Sequence, residues 1–234
     1  MTTKRISSKL TSYWLEDGLL ISEYYKRKIG KYSIDSVASL DWRSPESHAL
    51  FLESALSGID IEKVKSVLDV GCGRGDLFDH LEKITKEDFR YTGIDIVPGF
   101  ISKALNSKDN RDMKVEVGNF IDERYWPKDR SDLVINLGGL ASQVRFYRQY
   151  LKYNIEKMIL LSNRYVIFNI ITDISPDYFP GKSSRKKVGK IGGCSEVVLK
   201  NILEQIKKKH RIEYRIKKVT IFEGSRDAFV YIKI

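Results

Sequence analysis

The sequence predicts an α/β protein: a doubly wound, mostly parallel sheet, closed by a C-terminal antiparallel hairpin and preceded by a helical N-terminal extension. Three observations predict it. Between Val64 and Ile171, short apolar runs alternate with longer amphipathic ones, the mark of β-α-β units around a parallel sheet. The first of those runs passes straight into a glycine-rich turn, Gly71-Cys72-Gly73-Arg74-Gly75, and then into a helical pattern. Near the C-terminus, two strand-like runs flank Glu223-Gly224-Ser225-Arg226-Asp227, the composition of a hairpin turn.

Taken in order, residues 1–60 carry Tyr13, Trp14, Tyr24, Tyr25, Tyr32 and Trp42 among charged residues. From His48 to Leu56, residues Leu50, Phe51, Leu52, Ala55 and Leu56 recur near helical spacing. This segment is expected to be a helical extension that either closes over a ligand as a lid or is pinned to the body. Residues 61–234 are expected to form the main domain. Its strands are expected at Ser66–Val70, Tyr91–Ile94, Lys114–Val117, Leu133–Leu137 and Tyr165–Ile171. Asp76 is placed to cap a helix in which Leu77, Phe78, Leu81 and Ile84 share a face. Phe100, Ile101, Ala104 and Leu105 mark the next helix, and Phe146 to Leu161 a longer one. The stretch Thr172 to Cys194, rich in Pro, Gly, Ser and Lys and without periodicity, reads as a long loop, of a length that is usually functional or disordered. Ser195 to Lys209 is a last helix, and Ile212–Phe222 with Ala228–Ile234 form the hairpin.

Composition bounds the function. With 42% hydrophobic and 31% charged residues, the 234-residue chain can bury a core, and no apolar run reaches the roughly 18 residues of a membrane span. Without an apolar stretch of the secretory type at its start, the chain is expected to be cytoplasmic. Its two cysteines, Cys72 and Cys194, are too few for a thiolate metal site or a disulfide framework, so no metal is expected. The net charge of +10 is unevenly spread: residues 181–234 hold 15 Lys and Arg against 5 Asp and Glu, and the rest of the chain is balanced. Such a basic quarter is either a solvated lysine-rich surface, which composition alone favours, or a face for an anionic partner: RNA, DNA or a phosphorylated small molecule. Lys182, Arg185, Lys186, Lys187 and Lys190 are expected to meet it. Lys207, Lys208, Lys209 and Arg211 instead close the last helix, where the helix dipole favours cations.

The chemistry is concentrated in the run Ser66 to Leu77. Its G-x-G-x-G spacing differs from the dinucleotide fingerprint G-x-G-x-x-G and lacks the Lys-Ser/Thr of a phosphate-binding P-loop. An acid two positions before the first glycine, Asp69, and a second acid ending the next strand, Asp95, strengthen the signal. A carboxylate at that strand end can accept bonds from both hydroxyls of a ribose, in the crevice where such sheets bind ligands. The competing reading makes Asp95 a cap for the following helix.

These residues resemble a family. Val67 to Leu77, Tyr91 to Ile96, Val117-Gly118-Asn119-Phe120 and Asp132 to Gly138 resemble the successive strand-end motifs of class I S-adenosylmethionine-dependent methyltransferases, which have a Rossmann-like fold. Trp42-Arg43-Ser44-Pro45-Glu46-Ser47-His48 resembles the W-x-S-x-E-S-Q segment of an uncharacterised bacterial and phage subgroup, with His48 in place of the Gln. The resemblance implies S-adenosylmethionine as cofactor. Asp69, Gly71, Cys72 and Gly73 would hold its methionine portion, Asp95 its ribose, and Ile96, Asn119 and Phe120 its adenine. The Leu137 carbonyl would face the methionine ammonium, and Trp42 would line the site. It also implies methyl transfer to an unidentified acceptor, a small molecule or nucleic acid, with a non-catalytic cofactor-binding domain as the alternative.

The absence of an Asn/Asp-Pro-Pro-Tyr/Phe run after the fourth strand removes the likeness to exocyclic-amine DNA methylases, and the absence of a Pro-Cys nucleophile argues against covalent attack on cytosine. Cys194 reads as a small packed residue. No general base is assigned. Of the three histidines, His80 is expected at the surface, and His48 alone merits a test.

Overall fold

In the computed structural model the described residues are 8–106, 113–172, 188–189, 191–221 and 227–234. They fold around one seven-stranded sheet of order β3-β2-β1-β4-β5-β7-β6. Its strands are β1 (Ser66–Val70), β2 (Arg90–Asp95), β3 (Met113–Val117), β4 (Ser131–Asn136), β5 (Ser162–Ile171), β6 (Glu213–Val219) and β7 (Asp227–Lys233). β1 to β5 run parallel, with Val67 beside Tyr91 on one side and Leu133 on the other. β7 is antiparallel to β5, with Phe168 opposite Val230, and to β6, with Ile216 opposite the same Val230. The expected α/β class, hairpin and helical extension are all present. The turn residues 223–226 and the loop residues 173–187 and 190, including Lys182, Arg185, Lys186, Lys187 and Lys190, lie outside the described residues.

The helices are α1 (Ser8–Tyr32), α2 (Pro45–Leu56), α3 (Asp76–Ile84), α4 (Pro98–Asn106), α5 (Tyr147–Leu161) and α6 (Glu196–His210). α2 starts three residues before the expected patch because Ser44 and Ser47 form a reciprocal cap and Pro45 supplies a preset φ at the first position. Phe51, Leu52, Ala55 and Leu56 point inward, whereas Leu50 is exposed. Leu105 and Ile84, both expected on buried stripes, are also exposed, because they lie at the last turns of α4 and α3. α3 is capped by Gly75 at a φ of 80°, so Asp76 is its first residue rather than its cap. Its carboxylate still favours that end through the dipole.

The sheet separates two apolar layers. On one side Val67, Leu133 and Ile167 pack with α2 and α3 through Phe51, Leu77, Phe78 and Leu81. On the other, Leu68, Val134 and Val166 pack with α5 and α6 through Leu151, Met158, Leu199 and Leu203, and Trp14 of α1 joins this layer. No helix among the described residues is long and apolar enough to cross a membrane. Several cations of the basic quarter are engaged within the fold: Lys209 with Glu156, Lys218 with Glu196, and Arg215 over the Tyr231 ring. Cys194 is buried in the α5 layer with its thiol pushed up to about 12 by burial, an inert packed residue.

Candidate active site

The strand order reverses between β1 and β4, and a cavity opens at the carboxyl ends of the strands there, where sheets of this type bind ligands. Every residue expected to form the site lines it: Trp42, Asp69, Gly71, Cys72, Gly73, Asp95, Ile96, Asn119, Phe120 and Leu137. The structure brings them together from five separate stretches of chain.

The turn after β1 takes its shape from three glycines at positive φ: 81° at Gly71, 55° at Gly73 and 80° at Gly75. Gly71 and Cys72 donate their N–H groups to the Ile94 carbonyl at 2.7 and 3.2 Å, and Gly73 donates to Asp95 Oδ2 at 2.9 Å. The other oxygen of Asp95 accepts from Val97 N–H at 2.8 Å. Asp95 thus holds the N–H just before α4, and each oxygen that accepts a backbone bond keeps lone-pair capacity for a further donor. Burial raises the Asp95 pKa to about 6, against the opposing pull of the Gly73, Val97 and Ile96 amides.

Asp69 is buried in the middle of β1, and Tyr91 Oη donates to it at 2.5 Å. Burial pushes its pKa to about 7; the Tyr91 bond works the other way. A carboxyl raised in the folded state stabilises the fold below its unfolded pKa, and that contribution is lost as pH rises through 7. Asp69→Asn keeps an acceptor for Tyr91 and carries no charge. Relative to wild type it should therefore gain roughly 1–3 kcal/mol in unfolding free energy between about pH 5 and pH 8. Urea unfolding at the two pH values measures this; an unchanged difference would remove burial as the dominant influence on Asp69.

At the other end, Asn119 Oδ1 accepts from Ile121 N–H at 3.0 Å, so part of its acceptor capacity is already used. Trp126 Nε1 donates to the Phe120 carbonyl at 2.8 Å, and Ser22 Oγ of α1 to the Ile96 carbonyl at 2.8 Å. α1 forms this wall with Gly18, Ile21 and Tyr25. A Cβ on Gly18 would stand 2.3 Å from Asn119 Nδ2. Gly18→Ala gains up to about 1 kcal/mol of helix propensity but displaces the Asn119 amide. We expect near-normal stability and a several-fold loss of ligand affinity, read by calorimetry with S-adenosylhomocysteine, the demethylated form of the cofactor that the resemblance implies. Full affinity would place Asn119 outside the contact.

Sequence reasoning missed several residues that shape the site. Asn136 Oδ1 accepts from Leu140 N–H at 3.1 Å, and Asn169 Oδ1 from Gly138 N–H at 2.7 Å, which fixes the turn after β4 with Gly138 at a φ of 87°. A polar residue inside the apolar run Val166 to Ile171 was the available signal for Asn169. Arg74 is buried; its guanidinium holds Asp76 at 3.2 Å and donates to the Ile34 carbonyl at 2.7 Å, tying the segment after α1 to the glycine turn. Asp17 of α1 is fully buried against Arg145, 2.6 Å away. His80, expected at the surface, is half-buried with Nε2 sequestered from solvent and unpartnered among the described residues, and burial lowers its pKa.

A reversed sheet with an antiparallel last pair, a glycine turn after β1 and an acid at the end of β2 define the class of α/β domains that bind a nucleoside-bearing cofactor at the switch point. The chain belongs to the methyltransferase domain family, whose model matches residues 61–218. Membership makes S-adenosylmethionine the cofactor. Solved structures share the fold at low identity. One is a magnesium protoporphyrin IX methyltransferase from Synechocystis with bound S-adenosylmethionine (13% identity, TM-score 0.62, 99% of each chain). Another is a plantazolicin methyltransferase with a triazolic desmethyl analogue and S-adenosylhomocysteine (12%, 0.58, 97% of this chain and 99% of that one). A third is an S-adenosylmethionine-dependent methyltransferase from Clostridium acetobutylicum (11%, 0.54, 81% and 90%). No curated protein matches the sequence.

Proposed function

We propose that the chain transfers the methyl group of S-adenosylmethionine to an acceptor, a small molecule or nucleic acid, that reaches the cavity beside the turn after β4. The observation that carries this reading is the Asp95 carboxylate, lining the cavity and held through both oxygens by backbone N–H groups between the glycine turn and the Ile96 wall. In this reading Asp95 holds the ribose, Ile96, Asn119 and Phe120 enclose the adenine, and the turn from Asp69 to Gly73 with the Leu137 carbonyl holds the methionine portion. Trp42 closes the far wall. The Trp42 to His48 segment supports placement in the bacterial and phage subgroup that carries W-x-S-x-E-S-Q, from which it departs at His48.

The cofactor supplies an electrophilic methyl group with its leaving group built in. The chain's residues fix its position, exclude water and align the acceptor, a contribution that reaches about 7–11 kcal/mol without covalent catalysis. The basic C-terminal quarter supports an anionic acceptor, although part of its charge is spent on internal pairs. Incubation with methyl-labelled cofactor and a lysate separated into nucleic-acid, protein and small-molecule pools should place label in one pool. Label sensitive to nuclease would name a nucleic acid. No label in any pool, with cofactor binding intact, would favour a non-catalytic cofactor-binding domain.

A further inference from the structure

The cavity is electrostatically lopsided. Three carboxylates line it, Asp69, Asp76 and Asp95, and among its lining residues His48 is the sole side chain able to carry positive charge. The methionine portion of the cofactor ends in a carboxylate as well as an ammonium, and nothing in the site proposed above neutralises that carboxylate except backbone N–H groups. Position favours His48. Trp42 packs against the same apolar layer as Leu137, on the α3 side of the sheet, whereas Ile96 and Phe120 pack with the opposite layer. The imidazole lies flat on the Trp42 ring, 5.0 Å between centroids with planes 21° apart, and Phe51 backs Trp42 at 4.6 Å. The aromatic stack holds the ring in place without using either nitrogen, and neither nitrogen has a hydrogen-bond partner among the described residues.

We infer that His48 binds the carboxylate of the cofactor's methionine portion and takes up a proton as it does so, making cofactor affinity depend on pH through this residue. The assignment rests on the cofactor-binding reading above. Burial lowers the pKa of His48 in the free protein; Asp76 at the start of α3 pulls it up, and Arg74 in the glycine turn and His80 further along α3 push it down. An imidazole whose pKa is raised by an anionic partner takes up a proton on ligand binding at any pH between its free and bound values. Affinity due to His48 is therefore full below its free pKa and declines as pH rises through the pKa of the complex. Asp69 and Asp95 act in the opposite direction, so the effect is read as a difference between variants rather than from the wild type alone.

The test compares wild type with His48→Gln, which keeps size and hydrogen-bonding capacity but cannot be protonated. Two ligands are titrated by calorimetry: S-adenosylhomocysteine, which has the carboxylate, and 5′-methylthioadenosine, which lacks the amino-acid end. Near pH 6 the variant should bind S-adenosylhomocysteine on the order of tenfold more weakly than wild type, with the gap closing towards about pH 8.5. Both proteins should bind 5′-methylthioadenosine equally, which also shows that the variant is folded. In buffers of different ionisation enthalpy the wild type should take up a fraction of a proton at neutral pH that the variant does not. Equal S-adenosylhomocysteine affinity at every pH, a gap that does not vary with pH, or an equal loss for both ligands would overturn the assignment. A wild type that binds neither ligand would instead sink the cofactor reading itself.

Discussion

Asp95→Ala is expected to weaken S-adenosylhomocysteine binding at least a hundredfold while leaving the fold close to wild-type stability. Two charge-assisted bonds to ribose hydroxyls, at about 1.5–3 kcal/mol each, give a loss of that size or larger. Stability behaves differently because two opposing changes occur together. Removing the side chain strips the acceptor from Gly73 and Val97 N–H, which lie 2.9 and 2.8 Å from the carboxylate. It also removes a buried charge whose pKa is raised to about 6, relieving a desolvation cost that is present above that pH. Asp95→Asn keeps one acceptor oxygen and should lose roughly tenfold. In the wild type, affinity should fall as pH drops below 6, where the carboxylate takes up a proton. Calorimetry and urea unfolding separate the two quantities. Normal binding by Asp95→Ala would end the ribose assignment and with it the orientation of the cofactor in the cavity.

The sequence carries local information, and the site is legible where function is local. The apolar run of β1, the glycines that follow and Asp95 at the end of β2 lie within thirty residues, and each follows from a rule about one element: burial period, positive φ, or the polar end of a buried strand. Helix faces were readable too, except at the ends, where Ile84 and Leu105 continue the pattern past the surface they should cover. What periodicity cannot show is which distant group completes a site. Asn169 fixes Gly138 across 31 positions, and Arg145 meets Asp17 across 128. Nothing in the spacing of either pair marks them as neighbours. In α1 the buried Asp17 sits directly beside the exposed Glu16, and only the partner Arg145 tells the two acids apart. His48 illustrates the same limit, since its importance comes from being the one side chain able to carry positive charge among the described residues that line the cavity.

Asp17 anchors the extension, and its removal should be the most destabilising single change in α1. Its carboxylate accepts from both the backbone N–H and Nε of Arg145 at 2.7 Å, while Arg145 also donates to the Tyr13 carbonyl and to Glu16. Trp14 Nε1 returns a bond to the Arg145 carbonyl at 2.8 Å, so the turn of α1 from Tyr13 to Asp17 is tied to the segment leading into α5. Breaking a buried pair by deleting one partner costs about 3–5 kcal/mol, because the remaining charge stays buried. Asp17→Ala should lose an amount in that range on urea unfolding. Asp17→Leu combined with Arg145→Met should recover only part of it, because the Arg145 N–H is left without its acceptor. These contacts tie α1 to the body, and the same helix presents Gly18, Ile21 and Tyr25 to the cavity. Ligand and anchor are therefore coupled: proteolysis within residues 8–32 should be faster in Asp17→Ala than in wild type, and S-adenosylhomocysteine should slow it in both. A cleavage rate unaffected by ligand would mean that the helix is held by the body alone. A variant within about 0.5 kcal/mol of wild type would show that the Trp14 side chain, not the ion pair, sets its position.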